Sequence, residues 1–127
     1  QHVRSVDTRC LADLERRVLA IVERQAKEGE GQAKLDLVGD RPAGVIAADH
    51  PLVQTCTAVY QAFGITTTHR AASTEANVPL SMGIPAVCLS VTSGENEHRT
   101  DEYIETAPLR SGIKAILLIL LALAGRR

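Results

Sequence analysis

Aromatic residues are almost absent from this chain. It has one Phe, two Tyr and no Trp, although hydrophobic residues reach 45%. We therefore expect an ordered core built from Leu, Ile, Val and Ala rather than wholesale disorder. Nucleic-acid-binding proteins carry basic patches, and many stack bases on aromatic rings. Because the net charge is -1 and aromatic rings are scarce, we do not expect a nucleic-acid-binding protein.

Paired cysteines and long apolar runs are also missing. Cys10, Cys56 and Cys88 lie far apart in apolar surroundings, which indicates reduced, buried thiols in a cytoplasmic protein rather than a zinc-thiolate cluster. The longest apolar run, at 115–124, is shorter than the roughly 20 residues that span a bilayer, so we expect no membrane segment. The chain begins at Gln1, without a Met and without a charged-then-apolar signal segment. The missing Met favours a fragment, although removal of a tag would have the same result.

A long helix is predicted after the first six residues. Asp7 or Thr8 can cap it, because a short side-chain oxygen accepts a hydrogen bond from a free backbone N–H in the first turn. Gly29 and Gly31 end it. Its apolar residues recur at three-four spacing and are Leu11, Leu14, Val18, Ile21 and Val22. This face can pack on a sheet of its own or on a second copy.

Two further helices have apolar faces. The first is capped by Asp49, has Pro51 in its first turn and ends at Gly64, with His50 as a surface residue. Its predicted buried residues are Leu52, Val53, Cys56, Val59, Tyr60 and Phe63. The second closes the chain at Gly125-Arg126-Arg127. Its predicted buried residues are Leu109, Ile113, Ile116, Leu117, Leu120 and Ala124, and the apolar face is widened by Leu118, Ile119 and Leu121.

Four segments are predicted as strands. Residues 1–6 lead into the first helix, and 33–37 alternate apolar and charged residues with the period of a half-buried strand. Residues 65–69 are rich in β-branched side chains. Residues 85–91 form the unbroken apolar run that is typical of a strand covered on both faces. Strands alternating with helices predict an α/β fold with a helix-flanked sheet.

Polar residues cluster where the third strand ends. Arg70 can hold a substrate carboxylate by two parallel hydrogen bonds, or it can form an ion pair with a Glu. A short helix is predicted from Asn77 to Gly83, with Pro79 in its first turn. Free N–H groups at its start can bind a carboxylate, which is compatible with ordinary capping by Asn77. Arg4, by contrast, is interpreted as a strand-edge residue rather than a site residue.

Three motifs follow one another between residues 71 and 104. They are STEAN at 73–77, GIPAV at 83–87, and Glu-His at 97–98 followed by DEYI at 101–104. In this order and spacing they resemble the C-terminal signature of a family of zinc peptidases and deacylases. That family includes peptidase T, acetylornithine deacetylase, aminoacylase and glutamate carboxypeptidase. The resemblance covers nearly the whole chain, which corresponds to the last third of a family member.

The resemblance implies a site. It implies that His98 is a zinc ligand, and we take Arg70, Thr74 and Asn77 as candidates for substrate binding. In the family, two zinc ions share a bridging carboxylate and a water, and a Glu takes the proton of that water as it attacks the amide carbon. The substrate would be a small peptide or an N-acyl amino acid. The chain departs from the family in its bulky charged residues beside His98 and in Glu75, where many members have Asp.

The resemblance also implies a domain organisation. Residues 1–43 would be the second half of a lid domain that mediates dimerisation, and 44–127 the C-terminal part of the catalytic domain. The other metal ligands belong to the family's N-terminal portion, and neither a His-x-Asp nor a Glu-Glu pair occurs here. We therefore expect the chain alone to be inactive and to associate as a homodimer or with that missing portion. The alternatives are a truncated fragment without catalytic function, a dimerisation module and a small standalone α/β binding domain.

Overall fold

The computed structural model describes residues 3–29 and 32–125. Within them it has four helices and one two-stranded antiparallel sheet. The chain forms two compact units, which are described separately. The first unit contains the described part of Gln1–Ile46 together with Ala71–Ala86, and the second contains Ala47–Arg70 together with the described part of Val87–Arg127.

Helix α1 spans Thr8–Glu28 in the first unit. Asp7 is its N-cap, as predicted, and its Oδ1 accepts a 2.8 Å hydrogen bond from the backbone N–H of Cys10. Gly29 caps the other end, whereas the predicted stop at Gly31 lies outside the described residues. No residue of α1 is buried. Packing of its apolar face therefore contributes little to the stability of the helix. Exposed ion pairs such as Asp13–Arg16, at 2.9 Å, add only a modest stabilisation.

The two strands predicted around α1 are not found. Residues 3–6 and 33–37 join no sheet, and residues 1 and 2 lie outside the described part. Leu35 and Leu37, expected to face inward, are 51% and 76% exposed. A period-two pattern predicts a strand only where a neighbouring strand completes the hydrogen bonds. No described segment pairs with 33–37.

Helix α2 spans Pro51–Ala62 in the second unit. The prediction that Asp49 caps it was wrong, because Pro51 occupies the first helical turn and leaves the N-cap position to His50. The Nδ1 atom of His50 accepts a 3.1 Å hydrogen bond from the N–H of Leu52. His50 is half-buried rather than a surface residue. Gly64, with φ +71°, follows the end of the helix as predicted.

The core of the second unit lies between α2 and helix α4, which spans Leu109–Ala124. It contains Cys56, Val59, Tyr60, Ala115 and Ile119. The predicted face of α2 is therefore confirmed. Complete burial of a side chain as large as that of Ile119 contributes about 1.5–3 kcal/mol, and this residue is 2% exposed.

The predicted face of α4 was only partly right: Ile119 belongs to the core and Ile116 packs against it. Its buried residues are Gly112, Ala115 and Ile119, whereas Ile113 and Leu117 are more than half exposed. The helix is apolar on nearly every side, and such a helix has no polar face from which its orientation could be predicted. Small residues decide the orientation instead. A Cβ at Gly112 would overlap the carbonyl oxygen of Val91, so the helix approaches residues 87–91 there because that position is glycine.

Residues 65–69 and 87–91 lie against the helices without pairing. Ile65, Val87 and Leu89 pack on the core of the second unit. Neither segment belongs to a sheet in the described part of the chain. Residues 87–91 are half-buried and exposed in alternation, so the prediction of a strand covered on both faces was also wrong.

The coarse fold class, mixed helix and strand, is confirmed, but the sheet differs from the one predicted. The described sheet consists of β1, Gly94–Glu95, and β2, Tyr103–Ile104. It pairs Gly94 with Ile104 and Glu95 with Tyr103. The helix-flanked sheet predicted from the longer segments is not formed by the described residues.

Candidate functional site

His98 lies near the tip of the β1–β2 hairpin. The ladder is extended by a 2.8 Å hydrogen bond from the N–H of Glu105 to the carbonyl of Ser93. The hydroxyl of Thr92 also donates to the carbonyl of Glu105. These bonds fix the two arms, so that residues 96–102 form the connection and His98 is exposed on it.

Two residues of this connection have left-handed backbone conformations. Asn96 has φ 62° and His98 has φ 67°. This region costs most residues about 1–2 kcal/mol, although Asn and His enter it more readily than others. Side-chain bonds hold the conformation: the N–H of His98 donates to Oε2 of Glu102 at 3.2 Å, and Nδ2 of Asn96 donates to Oδ2 of Asp101 at 2.9 Å.

Arg99, next to His98, is paired with Asp101. Its Nε and Nη2 atoms donate to the two carboxylate oxygens at 2.9 and 3.1 Å. This two-pronged geometry is the preferred one for Arg and carboxylate. The positive charge beside His98, which departs from the resembled family, is thereby directed toward Asp101.

The described residues supply only part of the zinc site that the resemblance implies. They contain no group of three or more His, Cys, Asp and Glu side chains that could hold a metal ion. A catalytic zinc site uses about three protein ligands. The hairpin tip supplies an imidazole at His98 and a nearby carboxylate at Glu102. These residues fit part of a zinc site, not a complete one.

A hydrogen bond joins Thr74 and Asn77, the substrate-binding candidates of the first unit. Oδ1 of Asn77 accepts a 2.7 Å hydrogen bond from the N–H of Thr74. Nδ2 of Asn77 donates to the carbonyl of Pro42 at 3.3 Å. The hydroxyl oxygen of Thr74 accepts from the N–H of Ala76 at 3.3 Å. Asn77 therefore stabilises the turn. Its amide oxygen and nitrogen have less hydrogen-bonding capacity left for a ligand.

Helix α3, Asn77–Ser81, begins at the predicted residue. Its N-cap is Ala76, which makes no side-chain capping bond, so ordinary capping by Asn77 is not what the structure shows. The helix has five residues and no buried residue, and the predicted stop Gly83, with φ +75°, follows its C-cap Met82. A helix this short has only a small dipole, which would attract a carboxylate at its start only weakly.

Arg41 is a polar residue of this region that the sequence did not reveal. Its Nη1 donates to the carbonyl of Ser73 at 3.2 Å, and its Nη2 lies 3.4 Å from Oε1 of Glu75. It thus joins residues 41–42 to the STEAN turn. These partners lie 32 and 34 positions away, and no local pattern links residues so distant.

Arg70 is exposed in the second unit, after the segment 65–69. The alternative to a substrate role was an ion pair with a Glu, and Arg70 makes none with the described residues. It belongs to the same unit as His98, whereas Thr74 and Asn77 belong to the other. Its role in substrate binding stays a prediction. Arg4 is exposed, but its interpretation as a strand-edge residue was wrong, because residues 3–6 join no sheet.

Two ionisable groups are buried in the core. Burial raises the pKa of the Cys56 thiol, against a smaller lowering by a backbone hydrogen bond. Burial also raises the pKa of Tyr60, with a further contribution from the charge of Cys56. Both groups are therefore neutral near pH 7 and act as packing residues. Cys10 and Cys88, which were predicted to be buried, are exposed.

Comparisons with known proteins add no relative. No protein-family model matches the chain, and no curated protein matches it. Among the described residues, none of the helices combines the length and apolar character needed to cross a membrane.

Proposed function

We propose that the chain is the C-terminal part of a zinc-dependent metallohydrolase that cleaves amide bonds of small peptides or N-acyl amino acids. The motifs at 73–77, 83–87 and 97–104 support this proposal. The structural observation that supports it most is the position of His98. This residue is exposed at the tip of the hairpin, has a left-handed backbone conformation, and is held there by the hydrogen bond from its N–H to Glu102. Backbone strain at an exposed polar residue is a common property of functional loops.

His98 would be a zinc ligand, and Glu102 is the carboxylate that accepts a hydrogen bond from its backbone N–H. Neutral imidazole is a good zinc ligand, and a neighbouring carboxylate can orient it. When bound, the zinc ions would supply an activated water and polarise the amide carbonyl. The remaining ligands would come from an N-terminal portion of the enzyme, so the chain alone would not catalyse the reaction.

Three residues are proposed to bind the substrate. Arg70 would hold its carboxylate, because a guanidinium fork matches the two carboxylate oxygens. Thr74 and Asn77 would contribute through the STEAN turn that Asn77 shapes. Since Asn77 already uses its amide oxygen on the Thr74 N–H and its Nδ2 on the Pro42 carbonyl, its larger part would be to position Thr74.

A second candidate is a non-catalytic dimerisation module, as expected if residues 1–43 are half of a lid. The absence of any buried residue in α1 favours it. The helix carries an apolar face in which Leu14 and Ile21 are exposed. Lysine at both positions would dissociate a dimer formed through α1, and would leave a dimer formed elsewhere intact.

The proposal is tested by zinc content and hydrolysis together. The purified chain, His98→Ala and the matched control His69→Ala are dialysed against micromolar zinc and then assayed with a dipeptide and an N-acetylated amino acid. We expect well under one zinc per chain and no hydrolysis. If the chain binds about one zinc and His98→Ala binds none, the chain has a complete zinc site of its own. That result would contradict the proposal that its site is only partial. Zinc near one per chain that His98→Ala retains would contradict the role of His98.

A further inference from the structure

Residues 41–44, here named the RPAG segment, pack on helix α3. Among them is Ala43, the one residue of the first unit that is buried in the described part of the chain. Gly44 lies so close to α3 that a Cβ on it would overlap the Cβ of Leu80 and the backbone N of Ser81. The RPAG segment is therefore fixed against the helix in which the STEAN turn ends.

Arg41, at the start of this segment, contacts the residues on either side of Thr74 in the chain. Its Nη1 donates to the carbonyl of Ser73 at 3.2 Å and lies 3.4 Å from the hydroxyl oxygen of the same residue. Its Nη2 lies 3.4 Å from Oε1 of Glu75. Because the guanidinium is planar and rigid, these contacts limit where residues 73 and 75, and Thr74 between them, can lie.

The Thr74 hydroxyl has a proton that it can donate to a ligand. Its oxygen accepts a 3.3 Å hydrogen bond from the N–H of Ala76. A hydroxyl that accepts one hydrogen bond still has its own proton to donate, and none of the hydrogen bonds among the described residues uses this one. The direction in which that proton can be donated depends on the position of the Thr74 backbone, which Arg41 and Asn77 hold.

Glu75 brings a negative charge next to Thr74, and Arg41 offsets it. The Glu75 side chain is 89% exposed and that of Arg41 48%. Small peptides and N-acyl amino acids both carry a carboxylate, which an unpaired Glu75 would repel. An ion pair this exposed contributes little to stability, so the loss of Arg41 should affect a charged ligand more than the fold.

We propose that Arg41 is a positioning residue for substrate binding at Thr74. It fixes the turn so that the Thr74 hydroxyl can donate to a substrate oxygen, and it neutralises the Glu75 carboxylate, which would otherwise repel the substrate. The inference rests on the proposed function, which assigns substrate binding to Thr74. Positioning needs the guanidinium fork, whereas neutralisation needs only a positive charge, so Arg41→Lys separates the two effects.

The test follows the whole chain by NMR in zinc-free buffer. Amide exchange is measured at Thr74 and Ala76 without ligand. N-acetylglycine, a small N-acyl amino acid, is then titrated in, and its affinity is read from the shift of the Thr74 amide. The variants are Arg41→Ala and Arg41→Lys. The matched control is Lys34→Ala, which removes an exposed cation of the same unit that pairs with Asp36 instead of the turn.

We expect faster exchange at Thr74 and Ala76 in both Arg41 variants and unchanged exchange in the control. The affinity for N-acetylglycine should fall about two- to fivefold in Arg41→Ala, the range that an exposed charge contact covers. Arg41→Lys should lie between Arg41→Ala and the unaltered chain, because it keeps the charge. A role in stability alone would not rank the affinities by the charge at residue 41.

Unchanged exchange at Thr74 in Arg41→Ala would overturn the inference, and so would equal affinities in Arg41→Ala and the unaltered chain. Equal affinities in Arg41→Ala and Arg41→Lys would contradict the neutralisation of Glu75. If Thr74 does not respond to N-acetylglycine in the unaltered chain, the substrate role of Thr74 in the proposed function is itself contradicted. The failure of the proposed function is therefore distinguishable from the failure of this inference.

Discussion

The hydroxyl of Tyr60 donates a 2.8 Å hydrogen bond to the backbone carbonyl of Ser90. Tyr60 belongs to α2 and is buried, whereas Ser90 is exposed and belongs to residues 87–91, here called the edge segment. This bond connects the helical layer to a segment that has no strand partner among the described residues. Together with the packing of Val87 and Leu89, it fixes where the edge segment lies on the core.

Replacing Tyr60 by Phe should therefore weaken the second unit without changing its packing. The ring remains, but the carbonyl of Ser90 loses its donor, and a typical hydrogen bond contributes about 0.5–1.5 kcal/mol. Urea unfolding should show a decrease of that size. The matched control is Tyr103→Phe, since Tyr103 is exposed. An equal effect of both substitutions would contradict the role of the Tyr60 hydroxyl.

Gly112→Ala should destabilise the second unit. Its Cβ would overlap the carbonyl oxygen of Val91, so α4 and the edge segment would have to move apart. Overpacking of this kind typically costs about 1–3 kcal/mol. Ser111→Ala, at an exposed position one residue earlier, is the control. Thermal unfolding that is unchanged in Gly112→Ala would mean that α4 does not lie against Val91.

Stability should fall as pH rises above about 9. Burial raises the pKa of the Cys56 thiol above its ordinary value of 9.0 and that of Tyr60 above 10.0. The unfolded chain then releases its protons at a lower pH than the folded chain, which favours unfolding in alkali. This contribution is complete below pH 9 and is lost as pH rises through the raised values.

Cys56→Ala should make the loss of stability between pH 8 and 10 less steep, whatever it does to stability at pH 7. Cys88→Ala is the matched control, because Cys88 is exposed and should leave the slope unchanged. The measurement is urea unfolding at several pH values. Identical slopes in the chain and in Cys56→Ala would refute the buried thiol as a source of the pH dependence.

Asn77 offers a test of the STEAN turn. Asn77→Ala removes the acceptor of the Thr74 N–H and the donor to the Pro42 carbonyl. Asn77→Asp keeps the acceptor and removes the donor. Amide exchange at Thr74 should therefore accelerate strongly in Asn77→Ala and stay slow in Asn77→Asp. Equal exchange in the two variants would show that Asn77 does not hold the turn.

Local features of the fold could be predicted from the sequence. The starts of α1 and α3 follow from caps and turn residues close in the chain, and the buried face of α2 follows from its spacing. The cap of α2 was assigned one residue too early, since the ring nitrogen of His50 can accept the hydrogen bond expected for Asp49. The face of α4 could not be predicted, because Leu and Ile surround the helix and the small residues Gly112 and Ala115 decide its orientation.

Features that depend on distant partners could not be predicted. Residues 33–37 have a strand pattern without a described partner, whereas Gly94 and Ile104 pair in strands of two residues. Arg41 reaches Ser73 and Glu75 across more than thirty positions. Of the candidate site, the sequence indicated His98 through its motif, but not the hairpin or the bond to Glu102 that shape its surroundings.

The proposed role of His98 as a zinc ligand can be tested by following each imidazole by NMR as zinc is added to the isotope-labelled chain. We expect His98 resonances to shift or broaden at lower zinc concentrations than those of His69 and His50, because Glu102 lies beside His98 and the Nδ1 atom of His50 is occupied in the cap. His98→Ala should remove this early response and leave the later ones. If His69 or His50 responds first, or if His98 does not respond, the assignment is contradicted.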